Sequence, residues 1–302
     1  MLRPAYLQPG DWVGIVSPAK YLEENALEAG IKILESWGLS VKLGEHAYSR
    51  YHQFSGSDEK RTQDFQKMID DPRIKAIFCS RGGYGSSRIL DQLSFKAFQS
   101  EPKWIIGFSD ITVLFCQLNL LGIQGIHGPM PAFFEGNERK ESVESLRNAL
   151  FGKPLIIRAS KHELNIPGNV QGEVVGGNVS LLGHLLGTPT ELDTVGKILF
   201  LEEIEEDLYR FDRLLVQLRR AGKLKDINGL VIGQFTHMKD NPVPFGKSAP
   251  EIILDHLEGR VPVGVGFPIG HEPDNRAIYF GGQASLSVGR EGATLDFTRA
   301  GQ

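Results

Sequence analysis

Through Leu121, short apolar runs alternate with segments of helical periodicity, and no other feature restricts the fold as much. Trp12-Val13-Gly14-Ile15-Val16 stops at Ser17-Pro18, as a buried strand would; Val41-Lys42-Leu43, Ile74 to Cys79 and Trp104 to Phe108 repeat the pattern. Between these runs, Leu27, Ile31 and Leu34 share one helical face before Gly38. Phe65, Met68 and Ile69 share another, behind Ser57-Asp58-Glu59 and ahead of Pro72. Further helices are expected at Ser86 to Leu93 and Ile111 to Leu121. Strands separated by helices predict a parallel sheet covered on both faces.

Around Phe133 to Gly168 the alternation fails, leaving charged stretches, scattered Pro and Gly, and a helix near Ser142 to Leu150. It resumes with strands at Gly172 to Asn178, Ile198 to Leu201, Leu230 to Ile232 and Val261 to Val265. Helices run to Leu186, from Tyr209 to Ala221 and from Ile252 to Leu257. A hairpin closes the chain, Ala284 to Val288 and Ala293 to Phe297 around Gly289-Arg290-Glu291-Gly292. The organisation expected is α/β, with an N-terminal domain over residues 1–135, a connecting region over 136–170 and a C-terminal domain over 171–302.

Composition narrows the function. The 302 residues carry 33 Lys and Arg against 37 Asp and Glu, a net charge of −4, which removes the electrostatic case for binding nucleic acid or an anionic membrane. The 2 cysteines, Cys79 and Cys116, sit inside apolar runs, which gives neither a disulfide framework nor a metal-ligand spacing. The opening residues lack the apolar core of a secretory leader, and no run approaches the roughly 18 apolar residues of a membrane span. A cytoplasmic protein with no metal and no cofactor is expected.

Three turns that follow strands are candidate sites, since α/β folds place ligands there. In Ser80-Arg81-Gly82-Gly83-Tyr84-Gly85 the glycines present backbone N–H groups to an anion, or simply allow a tight turn. A dinucleotide fingerprint fails because Arg88 stands where the third glycine belongs. In Gly107-Phe108-Ser109-Asp110, Ser109 is either an exposed nucleophile on a strand-to-helix turn or a helix cap; Ile111 replaces the usual second glycine of such an elbow. Glu202-Glu203 follows the strand ending at Leu201, where an acid can orient a histidine base, and the acids after it suit the start of the next helix. Of eight histidines, His271, in the loop Phe267-Pro268-Ile269-Gly270-His271-Glu272-Pro273, is favoured as that base over His127. His184, on an apolar helix, is expected to pack at the core or its rim.

Taken together, these motifs resemble the LD-carboxypeptidase family of serine peptidases, the muramoyltetrapeptide carboxypeptidases. The likeness runs through Gly10-Asp11, Gly14-Ile15-Val16-Ser17-Pro18, Phe54-Ser55-Gly56-Ser57-Asp58-Glu59-Lys60-Arg61, Arg81-Gly82-Gly83-Tyr84-Gly85 and Gly107-Phe108-Ser109-Asp110-Ile111-Thr112. It continues through His127-Gly128-Pro129-Met130, Gly176-Gly177-Asn178, Gly187-Thr188-Pro189, Leu201-Glu202-Glu203, Tyr209-Arg210-Phe211-Asp212-Arg213 and Gly270-His271.

The resemblance implies a flavodoxin-like N-terminal domain bearing a nucleophile elbow and a C-terminal α/β domain of the swivelling type. It implies Ser109 as nucleophile, His271 as general base and Glu202 as the orienting acid, with the N–H groups of Gly83 and Asp110 as oxyanion donors. The family's usual second acid is Asp, where this chain has Glu203. The implied substrate is a cytoplasmic muropeptide tetrapeptide, cut at the L,D bond to its terminal D-Ala by a homodimeric enzyme. Arg81 and Arg276 are candidates for binding the terminal carboxylate, and Asn178 for either substrate binding or helix capping. Two other readings stand beside this one: hydrolysis of microcin C-type peptidyl nucleotides by the same triad, and a non-catalytic peptide- or sugar-binding protein.

Overall fold

The computed structural model describes residues 1–298, so the last four residues of the expected C-terminal domain lie outside the described residues. The first sheet is built from β1 (Trp12–Val16), β2 (Ser40–Leu43), β3 (Ile74–Cys79), β4 (Trp104–Gly107) and β5 (Gly125–His127). They run parallel in the order β2-β1-β3-β4-β5, the flavodoxin-like arrangement. Every residue of β4 is buried, as an apolar strand covered on both faces requires. The cover is α1 (Glu28–Ser36), α2 (Asp58–Asp70), α3 (Ser86–Ile89), α4 (Lys96–Ser100) and α5 (Thr112–Leu121). Ser57 caps α2 by accepting the Lys60 N–H, and Phe65, Met68 and Ile69 form its buried face. The single helix expected over 86–93 is instead the short α3 followed by a 3-10 turn, Leu90–Gln92.

After α6 (Lys140–Leu150), the second sheet gathers β6 (Ile156–Ser160), β7 (Gly168–Asn178), β8 (Ile198–Ile204), β9 (Gly229–Thr236) and β10 (Val263–Val265). It also takes β12 (Gln283–Gly289) and β13 (Gly292–Asp296); β11 (Ile278–Phe280) leaves it. The order is β10-β9-β8-β7-β12-β13-β6. The long β7 joins two regimes: its first half pairs antiparallel with β12, its second half parallel with β8. Helices α7 (Val179–His184), α8 (Leu208–Arg220) and α9 (Ala249–His256) follow β7, β8 and β9 in the chain.

Two placements lie beyond simple alternation. β11 returns to the first sheet and pairs antiparallel with β5. The segment expected to connect the domains is divided: α6 packs on the first sheet, where Ala149 O accepts the Tyr279 hydroxyl at 2.6 Å and Leu150 O the Leu7 N–H at 2.8 Å, whereas β6 edges the second. A single apolar cluster consequently runs through both sheets. Cys79 and Cys116 are free and buried, and burial pushes the Cys116 thiol up to about 12.

Candidate active site

β4 ends at Gly107, Phe108 is extended, and Ser109 then takes a left-handed backbone conformation, φ 64°, before the chain enters a 3-10 turn and α5. A non-glycine residue there costs on the order of 1 kcal/mol, which marks the turn as strained. Its geometry depends on glycines. A Cβ on Gly107 would lie 2.7 Å from Ile111, and one on Gly82 would lie 3.1 Å from Ser109 Cβ and 3.2 Å from its Oγ. Gly83, at φ 115°, carries an amide that makes no hydrogen bond among the described residues. The Asp110 amide is at the second position of its turn, where N–H groups have no partner within the helix. The buried Asp110 carboxylate accepts the Ser86 N–H at 2.8 Å, tying the glycine turn to the elbow; burial raises its pKa. Beneath both turns, the fully buried Arg61 donates to Pro18 O, to Gly85 O at 2.9 Å and to Asp58. Its role was missed from sequence, although it ends the Phe54–Arg61 motif.

Glu202 is wholly buried near the carboxyl end of β8, and its Oε2 lies 2.7 Å from His271 Nδ1. A carboxylate only accepts, so Nδ1 carries the proton and Nε2 is left for the cleft. Burial disfavours the imidazolium, but the Glu202 charge and hydrogen bond, together with the Glu203 and Glu205 charges, outweigh it, and the His271 pKa is raised. The next residue, Glu203, points to the other face of the strand. There it accepts from Asn178 Nδ2 at 2.6 Å, Ser180 N–H at 2.8 Å and Ile204 N–H at 2.9 Å. Glu202 is therefore the acid that meets the imidazole, and Glu203 anchors α7. Asn178 also caps α7 through the Leu181 N–H. The preceding Gly176 and Gly177 permit close approach: a Cβ on the first would overlap Phe200 O, and one on the second would lie 2.6 Å from Thr112 Oγ1. Thr112 Oγ1 also accepts the Asn178 N–H at 3.2 Å, linking the start of α5 to the end of β7.

The loop bearing His271 is held by α6. Ser142 Oγ donates to Pro273 O at 2.9 Å and accepts the Asn275 N–H at 2.7 Å; Ser145 Oγ accepts the Ala277 N–H at 2.8 Å. These serines belong to a helix that was legible, but nothing in their spacing marks them as a cradle. His127 lies inside the protein among Phe108, Phe115 and Phe200, where burial pushes it down to about 4. It does not line the cleft. His184, expected to pack, is exposed at the end of α7, because its turn of that short helix faces outward.

Ser109 and His271 line one cleft of about 460 Å³, floored by Gly82 and Gly83 at the carboxyl ends of the first sheet's strands. Ser109 Oγ makes no hydrogen bond among the described residues, so its hydroxyl is free to face the cleft. Lys20, Arg81 and Arg139 bring positive charge to the rim, and Glu205 and Glu272 face it from the second sheet's loops. Arg81 is half-buried and donates only to Tyr21 O, at 3.5 Å. Arg276, by contrast, is engaged by Asp274 at 3.0 and 3.1 Å and by Glu141 at 3.7 Å, and it does not line the cleft. Among the described residues, no three His, Cys, Asp or Glu side chains gather where a metal would sit.

Sequence comparison matches residues 13–128 to the LD-carboxypeptidase N-terminal domain and residues 171–286 to the LD-carboxypeptidase C-terminal domain. The chain belongs to the LD-carboxypeptidase family. Among relatives of this chain, a Bacillus subtilis protein named "Probable murein peptide carboxypeptidase" is 35% identical, over 97% of this chain and 94% of its own. The murein tetrapeptide carboxypeptidase of Pseudomonas aeruginosa is 32% identical, over 92% and 94%. The crystal structure of muramoyltetrapeptide carboxypeptidase from Oxalobacter formigenes superposes with a TM-score of 0.86 at 29% identity, covering 94% of this chain and 98% of that one. The microcin C7 self immunity protein MccF shares the fold, with a TM-score of 0.88 at 22% identity and 98% of each chain covered.

Proposed function

We propose that this protein is a metal-independent serine carboxypeptidase that hydrolyses the L,D-peptide bond to the terminal D-Ala of muropeptide tetrapeptides. One observation carries the reading: the His271–Glu202 pair from the second sheet's loops and strands faces the same cleft as the strained Ser109 of the first.

In this mechanism His271 Nε2 takes the Ser109 proton as Oγ attacks the scissile carbonyl, and Glu202 steadies the imidazolium that forms. The N–H groups of Gly83 and Asp110 receive the developing oxyanion. On collapse, His271 returns the proton to the leaving nitrogen and D-Ala departs. A water, deprotonated by the same imidazole, then cleaves the acyl-enzyme and frees the tripeptide. Arg81, unpaired with any acid among the described residues, is suited to hold the terminal carboxylate, with Lys20 and Arg139 adding to the field. Arg276 is a weaker candidate because Asp274 and Glu141 already occupy it.

A cytoplasmic homodimer is the setting this reading implies; no helix of the described residues is long and apolar enough to cross a membrane. Light scattering tests the dimer. The deciding assay is release of D-Ala from a muropeptide tetrapeptide in the presence of chelator, with Ser109→Ala as control. Activity should fall by roughly 10⁴-fold or more in the variant. A native protein that releases no D-Ala, or an active Ser109→Ala, refutes the proposal. Turnover of aspartyl sulfamoyl adenosine without turnover of tetrapeptide would instead assign the peptidyl-nucleotide reaction.

A further inference from the structure

His127 is a polar residue without an evident task. It closes β5, is wholly buried, and neither ring nitrogen meets hydrogen-bond geometry with a partner among the described residues, its own backbone acting on the ring only weakly. Its ring packs edge-on against Phe200 at 5.1 Å and lies 6.0 Å from Phe108 and 6.3 Å from Phe115. An apolar side chain would satisfy all three contacts, so packing does not explain an imidazole.

A second orphan stands nearby. Glu202 Oε1 is likewise buried and unpartnered, while Oε2 holds His271. Phe200 and Glu202 are two residues apart on β8, so their side chains leave the same face of the strand. The ring that packs on Phe200 is within electrostatic reach of the Glu202 carboxylate, and His271 completes the group, its ring 5.0 Å from Phe108. Buried polar groups in native proteins are paired, with ordered water where no side chain reaches. The His127 ring nitrogens and Glu202 Oε1 are the two such groups here that no side chain serves.

We propose that His127 is a positioning residue of this site, its ring N–H reaching Glu202 Oε1 across one buried water and so fixing the carboxylate's rotation against His271. The inference rests on the reading of Glu202 and His271 as acid and base. The charged or titratable groups acting on His127 are Glu202 from β8 and His271 from the loop after β10; those raising His271 are Glu202, Glu203 and Glu205. The low pKa of His127 keeps it neutral, with one N–H to donate.

The test compares His127→Phe with His127→Asn and His127→Gln, which set an amide near the Nδ1 and Nε2 positions. In His127→Phe, kcat should fall about tenfold or more with KM unchanged, the scale on which groups orienting a reacting ligand act. The acid limb of kcat/KM should move to higher pH, because Glu202, no longer shared with a donor, binds the imidazolium more strongly. One amide variant should recover kcat to within roughly threefold and restore the limb, as a replacement donor would. A native rate and profile in His127→Phe overturns the proposal; so does an equal loss in all three variants with an unmoved limb, which would mean packing alone. A high-resolution crystal structure of the native protein tests the bridge independently of the variants' folding. An ordered water within hydrogen-bond distance of His127 and Glu202 Oε1 supports it, and a dry gap overturns it. Absence of D-Ala release by the native protein would defeat the functional reading instead, leaving the crystallographic result to judge the bridge.

Discussion

Glu202 and Glu203 are adjacent and both buried, yet one faces a base and the other three donors that hold a helix. Glu202→Gln should therefore leave the fold intact and lower kcat by roughly 10²- to 10⁴-fold, less than loss of the nucleophile. It should also move the acid limb of the pH–rate profile downward. The His271 pKa is raised above its ordinary 6.5, so activity, which needs the neutral ring, rises as pH climbs through the folded value. The stability from the pair runs the other way: complete below about pH 6.5, it is lost as pH rises through the folded pKa. Without the Glu202 charge, the neutral base persists to lower pH. Glu203→Gln should spare the rate and weaken the fold. It keeps kcat within a few-fold but costs about 1–3 kcal/mol in urea denaturation, because an amide cannot accept from every donor that Glu203 serves. From sequence the two acids were told apart only by the place of Glu202 at the end of a strand and by family likeness; the donors that claim Glu203 are brought to it by the turn into α7.

The elements of the first sheet were legible because each obeys a local rule: apolar runs for strands buried on two faces, Ser57 as a cap, a glycine turn after β3. Loop positions were not, since they depend on contacts distant in sequence. Arg61 is the clearest case. A charged residue on an amphipathic helix reads as solvated, yet it is buried beneath the Pro18 and Gly85 carbonyls. Arg61→Met should cost about 2–3 kcal/mol, since the carbonyls lose their donor while Asp58 keeps Arg88. The denaturation midpoint measures this. The serines of α6 were illegible for the same reason: their partners lie more than 130 residues away.

At the level of the whole molecule, two sheets were expected in sequence order and are instead interlaced. The chain builds the first, moves to the second, returns for β11 and leaves again for β12 and β13. Calorimetry should accordingly show one unfolding transition with agreeing calorimetric and van't Hoff enthalpies. A chain ending at residue 135 should not fold alone, because β5 would lose its outer neighbour and the α6 cover. Two separated transitions would contradict this. Residues 266–277, His271 among them, span the distance between β10, in one sheet, and β11, in the other. The imidazole thus hangs on a strap pinned at either end to bodies that part when the molecule loosens. Its gap to the alcohol stays closed only while both sheets stand, so in rising denaturant hydrolysis and the circular dichroism signal should be lost at one midpoint.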